Sequence, residues 1–381
     1  MFAPLLEAYI ASMHLPPCAH KPPLVVGFSI CPEFRAHGFE FILSSAYELS
    51  YHNSPFEPCD LAFGASFRLE GYHKKILDFS QKRVGYTGEN ERINFDIYDF
   101  GMGFDHLHFH ERYLRVPLYY LHLFKLYNVI SAYQDSPFGL ASPTPAPSFG
   151  LDYPHLDLCA RQECDFNARA FASFVASNSN APVRNHFYQE LSAYAPVAGG
   201  GKVFNTTGEP VANKWDFLSR YKFNLCFENT KGLGYTTEKI IDAYFAHTIP
   251  IYWGNPEVAK DFNPKSFVNA HDFKDFKETL DFVRYLDTHP NAYLDMLYAH
   301  PLNNYEDQPS FYNQLSFSKI LAFLQNAIAC QEIYHEHCFA RVAHTSISRA
   351  FKSRLHALKA YGLKGFTHYD TSGLKHPHTP H

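Results

Sequence analysis

Tyr221-Lys-Phe-Asn-Leu-Cys-Phe-Glu-Asn-Thr-Lys-Gly-Leu-Gly-Tyr-Thr-Thr-Glu-Lys239, running on to Ile249-Pro-Ile-Tyr-Trp-Gly254, fits a strand, a loop, a helix and a second strand into 34 residues. Phe223–Phe227 is an apolar run of strand type, and Gly232 and Gly234 punctuate the loop after it. Thr236 and Thr237 are good N-cap types ahead of a predicted helix over 238–246, whose Ile240, Ile241, Tyr244 and Phe245 share one face. Ile249–Trp253 returns as strand. A strand leading through a glycine loop to a helix N-terminus is where an α/β protein receives a phosphate, because unpaired N–H groups converge there. Lys239 in the first turn opposes the macrodipole, which favours acids, and so suggests an anionic ligand. An ordinary strand–loop–helix unit with a solvated lysine accounts for the local pattern equally well.

Outward from this segment the pattern is α/β. Leu24–Ile30, Leu61–Gly64, Arg83–Thr87 and Asn94–Phe104 read as strands, with helices over Phe39–Leu49 and His73–Phe79. The Pro/Ser-rich run Ser136–Ser148 holds neither helix nor central strand and reads as a linker. The pattern then restarts: helix near Cys164–Ala170, strand Phe171–Ser177, helix Arg184–Tyr194, the glycines 199–201 and helix Lys214–Tyr221. Beyond the quoted segment come a short helix over Val258–Phe262, a strand over Ser266–Val268, and helices over Phe273–Leu286 and Leu315–Cys330. The expected division is an N-terminal unit over 1–148, a C-terminal unit over 149–330, and a final helix and basic tail over 331–381.

Composition narrows the function classes. A chain of 381 residues accommodates two α/β units with a cleft between them. Net charge is −5, which gives no nucleic-acid signal. The last 41 residues carry seven Lys/Arg and one acid, a net of +6, leaving −11 on the preceding 340. A basic tail on an acidic body suits an anionic membrane surface or a solubilising tail, and Arg349–Leu363 fits an amphipathic helix. Eight scattered cysteines have no framework spacing and point to a reduced, cytoplasmic setting. No signal peptide or membrane-spanning run is legible.

Ligands in doubly wound sheets sit beyond the carboxyl ends of the strands. That places Ser177, Asn178 and Arg184 at one crevice, and Glu228 and Asn229 at the same edge, followed by Glu238 and Lys239. Arg184 and Lys239 converging there would neutralise a diphosphate, although Arg184 taken singly also suits a surface or cap role. In the first half, Thr87-Gly-Glu-Asn-Glu91 puts Glu89 on a loop as a candidate general base, or as a solvated acidic turn. His106, His108 and His110 alternate, as a metal face or as a half-exposed polar one. The chain has no Asp-x-Asp pair, Walker A sequence, Gly-x-Ser-x-Gly elbow or Gly-x-Gly-x-x-Gly run. Cationic side chains are therefore expected to meet the diphosphate in place of a divalent metal.

Taken together, these stretches resemble the bacterial α1,3-fucosyltransferases of glycosyltransferase family ten. The resemblance rests on Tyr86–Glu91, Arg112–Tyr120, Phe171–Asn178, Arg184-Asn185 and Tyr221–Phe273, within about 24–330. It implies a GT-B fold: two Rossmann-like doubly wound domains facing a central cleft, the first receiving the acceptor and the second GDP-fucose. A last helix returning to the first domain belongs to that fold.

The resemblance also implies inverting transfer of L-fucose to the 3-hydroxyl of N-acetylglucosamine in lactosamine-type glycans, giving Lewis x structures on lipopolysaccharide. No cofactor or catalytic metal is implied, and the site would be cytoplasmic or peripheral on the inner membrane face. Residue by residue, Glu89 matches the general base, Arg184 and Lys239 the diphosphate ligands, and Glu238 the acid near the fucose ring. Asn229, Tyr235, Thr236, Thr237, Ser177 and Asn178 fall in the donor pocket. The chain departs from close relatives at His108 and His110, where acids are usual, and at Phe204, where a basic residue is common. A transferase using another GDP-sugar or making α1,4 links, and a non-catalytic sugar-nucleotide-binding protein, are the alternatives.

Overall fold

A computed structural model of the chain describes residues 2–28, 34, 37–65, 76–133, 164–303 and 315–337. Residues Met1–Glu332 form one compact unit, and Ile333–His381 make up a second. The Pro/Ser-rich run and the basic amphipathic stretch lie outside the described residues.

Two all-parallel sheets organise the first unit. Helix α1 (Phe2–Ser12) precedes β1 (Pro23–Phe28), α2 (Phe39–Ser44), β2 (Glu48–His52), β3 (Leu61–Ala65) and β4 (Arg83–Tyr86). Then come β5 (Phe100–Gly103), β6 (Tyr113–Arg115) and α3 (Leu118–Tyr133). The six strands lie in the order β2-β1-β3-β4-β5-β6. After α4 (Cys164–Asn167) the second half runs β7 (Ala170–Phe174), α5 (Pro182–Tyr194), β8 (Val197–Gly199) and α6 (Lys214–Leu218). It continues through β9 (Tyr221–Phe227), α7 (Glu238–Phe245), β10 (Ile249–Trp253) and β11 (Val268–Asn269). These strands lie in the order β11-β10-β9-β7-β8. Helices α8 (Phe276–Thr288), α9 (Pro290–Leu297) and α10 (Phe317–Ala329) complete the unit.

Central strands of a parallel sheet are covered on both faces and so read as continuous apolar runs. β3 and β4 are buried throughout, as is β9 from Phe223 onward. Asn224 interrupts the β9 run, and its side chain is satisfied inside the core. Ser173 Oγ donates to its Oδ1 at 3.2 Å, and its amide reaches Cys226 Sγ at 3.1 Å. Ile240, Ile241, Tyr244 and Phe245 of α7 are all buried, but so are Asp242 and Ala243 between them, so the helix is enclosed on every side after its first turn and not on one face alone.

The edges depart from the sequence reading. Phe39–Leu49 was expected as one helix, yet only Phe39–Ser44 is helical and Glu48–His52 forms edge strand β2. The expected strand over 94–104 shrinks to Phe100–Gly103, because residues 95–97 form a turn. β6, β8, α3 and α9 add elements that the pattern did not mark.

Helix α10 returns to the first sheet. Phe317 packs edge-on against Tyr9, Phe41 and Tyr120, and lies tilted on Phe124, while Phe323 meets Phe100. The ammonium of Lys82, which precedes β4, donates to the carbonyls of Cys330 and Glu332. A cation at a helix C-terminus satisfies exposed carbonyls and suits the dipole there. The return helix implied by the family resemblance is present.

Candidate active site

The chain leaves β7 toward β8 on one side and later places β9 on its other side. The loops after β7 and β9 therefore diverge, and the crevice between them is the switch point of the second sheet. Ser177 and Asn178 follow β7 and are exposed; Glu228 and Asn229 follow β9. Arg184, in the first turn of α5, is buried at this point and draws the two loops together. Its Nη1 donates to Asn229 Oδ1 at 2.7 Å, its Nη2 donates to the Asn178 carbonyl, and its guanidinium lies 5.6 Å from the Phe174 ring centre. Burial pulls its pKa down, with Glu228 and Tyr235 opposing.

Lys239 faces the same crevice with 17% of its side chain exposed. Its ammonium donates to Glu228 Oε2 and to Thr237 Oγ1, both at 2.8 Å, and lies 3.6 Å from Glu238 Oε1. Burial works against its charge, but Glu228 and Glu238 outweigh burial and raise its pKa. Glu238 is held ionised, at a pKa of about 2: burial opposes this, and Lys239, Lys214 and His122 prevail. Thr237 occupies the N-cap position of α7, but its hydroxyl makes no capping bond. Its N–H and its hydroxyl both donate to the Glu228 carboxylate instead. Thr236 is also turned inward, its Oγ1 accepting from Tyr252 and Asn255.

The loop after β4 reaches this cluster from the first sheet. Tyr235 is 1% exposed, and its hydroxyl donates to Glu89 Oε2 at 3.4 Å. Asn90 Nδ2 donates to Thr230 Oγ1 at 2.7 Å and to the Lys231 carbonyl at 3.1 Å. The approach is close: a Cβ on Gly232 would lie 2.4 Å from Asn90 Oδ1, so the Asn90 side chain would have to turn aside and its two bonds across the cleft would be disturbed. The acid of the first half thus stands on the same cleft as the paired cations of the second.

Two family models match the chain: the N-terminal domain of α-(1,3)-fucosyltransferase FucT over residues 41–122, and the C-terminal part of glycosyltransferase family 10 (fucosyltransferase) over 167–340. The α-(1,3)-fucosyltransferase FucT of Helicobacter pylori is 50% identical over 356 residues, covering 89% of this chain and 73% of that protein. The chain belongs to the α1,3-fucosyltransferases of glycosyltransferase family 10. A crystal structure of α1,3-fucosyltransferase with GDP-fucose superposes with a TM-score of 0.77 at 49% identity, covering 88% of this chain and 99% of that one. α-(1,3)-Fucosyltransferase 4 of Bos taurus is similar over a shorter stretch, 31% identical across 33% of this chain and 32% of its own. The parallel sheets and their switch point are those of the GT-B fold, two Rossmann-like halves facing a cleft.

The fucosyltransferase contains a buried polar cluster that the sequence reading did not mark. Asp242, one turn after Glu238 on α7, accepts from Lys214 Nζ at 2.6 Å, Trp215 Nε1 at 2.8 Å and His122 Nε2 at 2.9 Å. It ties α3 of the first half and α6 of the second to the helix carrying Glu238 and Lys239. A lone acid inside Ile240-Ile241-Asp242-Ala243-Tyr244 was the available signal, because an unpaired buried carboxylate is costly.

Other readings change. His106, His108 and His110 are exposed and lie on no strand, so period-two alternation does not put them on one face. Among the described residues, no group of three His, Cys, Asp or Glu side chains is placed to hold a metal. Phe204 adopts φ 49° and stacks on Tyr188 with ring centres 4.3 Å apart. No described helix is long and apolar enough to cross a membrane.

Proposed function

We propose that this α1,3-fucosyltransferase moves L-fucose from GDP-β-L-fucose to O3 of N-acetylglucosamine in N-acetyllactosamine-type glycans, with inversion and with Glu89 as general base. The observation that carries the reading is the 3.4 Å contact between Glu89 and Tyr235, which brings an acid of the first half to the loop before Glu238 and Lys239. Glu89 takes the proton of the acceptor hydroxyl as that oxygen bonds to C1 of fucose. The C1–O bond to GDP breaks on the opposite face, and its electron pair leaves with the diphosphate. Arg184 and Lys239 meet the charge that grows on the leaving group, without a metal or other cofactor. Glu238, kept anionic, favours the positive charge developing on the sugar ring.

Asn229, Tyr235, Ser177 and Asn178 line the donor crevice in this reading. Thr236 and Thr237 shape it from within, since their hydroxyls are committed to Tyr252, Asn255, Glu228 and Lys239. The products would be Lewis x structures on a lipopolysaccharide O-antigen, assembled at the cytoplasmic face. The +6 tail would touch the anionic membrane there, and no nucleic-acid partner is proposed. Incubation with GDP-fucose and matched type 1 and type 2 acceptors, followed by linkage analysis, tests the reading. It predicts α1,3-linked fucose on the type 2 acceptor; α1,4 product on type 1, or transfer only from another GDP-sugar, would overturn it.

A further inference from the structure

Glu228 is the side chain at the donor crevice that no role above uses. It directly follows central strand β9, with 0% exposure. An ionised carboxylate so placed is costly unless its lone pairs are filled. Here they are: Thr237 donates through its N–H at 2.7 Å and its hydroxyl at 2.8 Å, and Lys239 through its ammonium at 2.8 Å. The neighbouring strand is shaped around the same side chain. Gly254, just past β10, adopts φ +147°, and a Cβ there would lie 2.4 Å from Glu228 Cγ and 2.6 Å from its Cβ. The Gly254 N–H is held in turn by His271 Nε2 at 3.1 Å. Two strand ends and a helix start therefore converge on one carboxylate, which points at the ammonium of Lys239.

We infer that Glu228 is a positioning residue for donor binding, holding the Lys239 ammonium at the crevice where a nucleoside diphosphate is clamped. Lys239 is a flexible four-carbon chain, and a cation left free on it would place its charge poorly. Fixed by Glu228 and Thr237, it keeps one direction toward the crevice, next to Arg184. The inference rests on the proposed role of Lys239 as a diphosphate ligand. A purely structural Glu228, capping α7 through Thr237, would stabilise the helix without acting through Lys239.

A double-mutant cycle on GDP affinity separates these readings, using calorimetry on the full chain with GDP as the probe. Glu228→Gln keeps the volume and an acceptor for the Thr237 N–H while removing the charge that holds Lys239. The expected result is roughly tenfold weaker GDP binding in Glu228→Gln and in Lys239→Ala, with the double variant no weaker than Lys239→Ala. Additive losses, or unchanged affinity in Glu228→Gln alone, would overturn the positioning role. Unchanged affinity in Lys239→Ala is a different failure: it removes Lys239 from the clamp and the inference with it. Should Glu228→Gln not fold, Glu228→Asp serves in the same cycle, since its shorter arm keeps the charge but withdraws it from Lys239.

Discussion

Arg115 and Asp261 are joined by a two-pronged ion pair, Nη1 to Oδ1 at 3.0 Å and Nη2 to Oδ2 at 2.7 Å. The pair bridges the halves: Arg115 ends β6 of the first sheet, and Asp261 follows β10 of the second. With 16% and 2% of their side chains exposed, both are largely out of water. Removing one partner of such a pair leaves an uncompensated buried charge, which costs about 3–5 kcal/mol. Asp261→Asn is therefore expected to lower the urea midpoint by an amount equivalent to about 3 kcal/mol, with an unchanged slope. A shift below about 1 kcal/mol would mean that the Arg115 Nε bond to the Phe104 carbonyl suffices.

Glu89→Gln keeps the shape of the loop and the contact with Tyr235 but cannot take a proton. Transfer to the acceptor should fall by about 10²–10⁴ in kcat. GDP affinity should stay as in the wild type, because Arg184 and Lys239 are untouched. Steady-state transfer and calorimetry on the same preparation check both halves of this expectation.

Arg184→Lys keeps the charge and loses the fork. A lysine cannot bond Asn229 and the Asn178 carbonyl together while lying against Phe174. Losing one charge-assisted bond costs about 1.5–3 kcal/mol, so GDP binding should weaken by about 10- to 100-fold. Equal affinity would place the diphosphate away from α5.

Asp242 gives a pH signature. Burial alone would raise its pKa, but Lys214 and His122 hold it well below the ordinary carboxylate value, taken as about 3.9 in the unfolded chain. A carboxylate with a depressed folded pKa contributes stability above the unfolded pKa and loses it as pH falls toward the folded value. The stability deficit of Asp242→Asn should be constant above about pH 5 and shrink steadily below about pH 4. Urea titrations of both proteins across that range show it; a deficit independent of pH would mean that packing, not charge, is lost.

What the sequence makes legible follows from where each strand sits. β9 and β10 are covered on both faces, so their apolar runs were unmistakable. β2 and β8 are edge strands, short or half-exposed, and Glu48-Leu-Ser-Tyr-His52 has no alternation to betray it. The positions of Arg184, Asn229, Glu238 and Lys239 at one crevice could be read because strand ends fix where the following loops and helix starts lie. Asp242 and the Arg115–Asp261 pair could not, since their partners are 27 to 146 residues away and only tertiary packing, within the second half for Trp215 and between the halves for His122 and Arg115, brings them together.

Gly234 tests the loop that links donor and base. It adopts φ +78°, and an added Cβ would lie 2.5 Å from the Phe104 carbonyl oxygen, which a backbone atom cannot yield cheaply. Its N–H donates to Asn255 Oδ1 at 2.8 Å, so the turn is fixed on both sides. Tyr235 follows directly, its ring edge-on to Phe104 at 5.3 Å and its hydroxyl on Glu89. Gly234→Ala should therefore cost about 1–3 kcal/mol in stability from backbone strain. It should also reduce kcat more than GDP affinity, because the displaced segment carries the contact to Glu89 while Arg184 stands on α5. Thermal unfolding reads the first effect and the kcat-to-affinity split the second. A variant that lost stability but transferred fucose at the wild-type rate would show that the Tyr235 contact does not help to place the base.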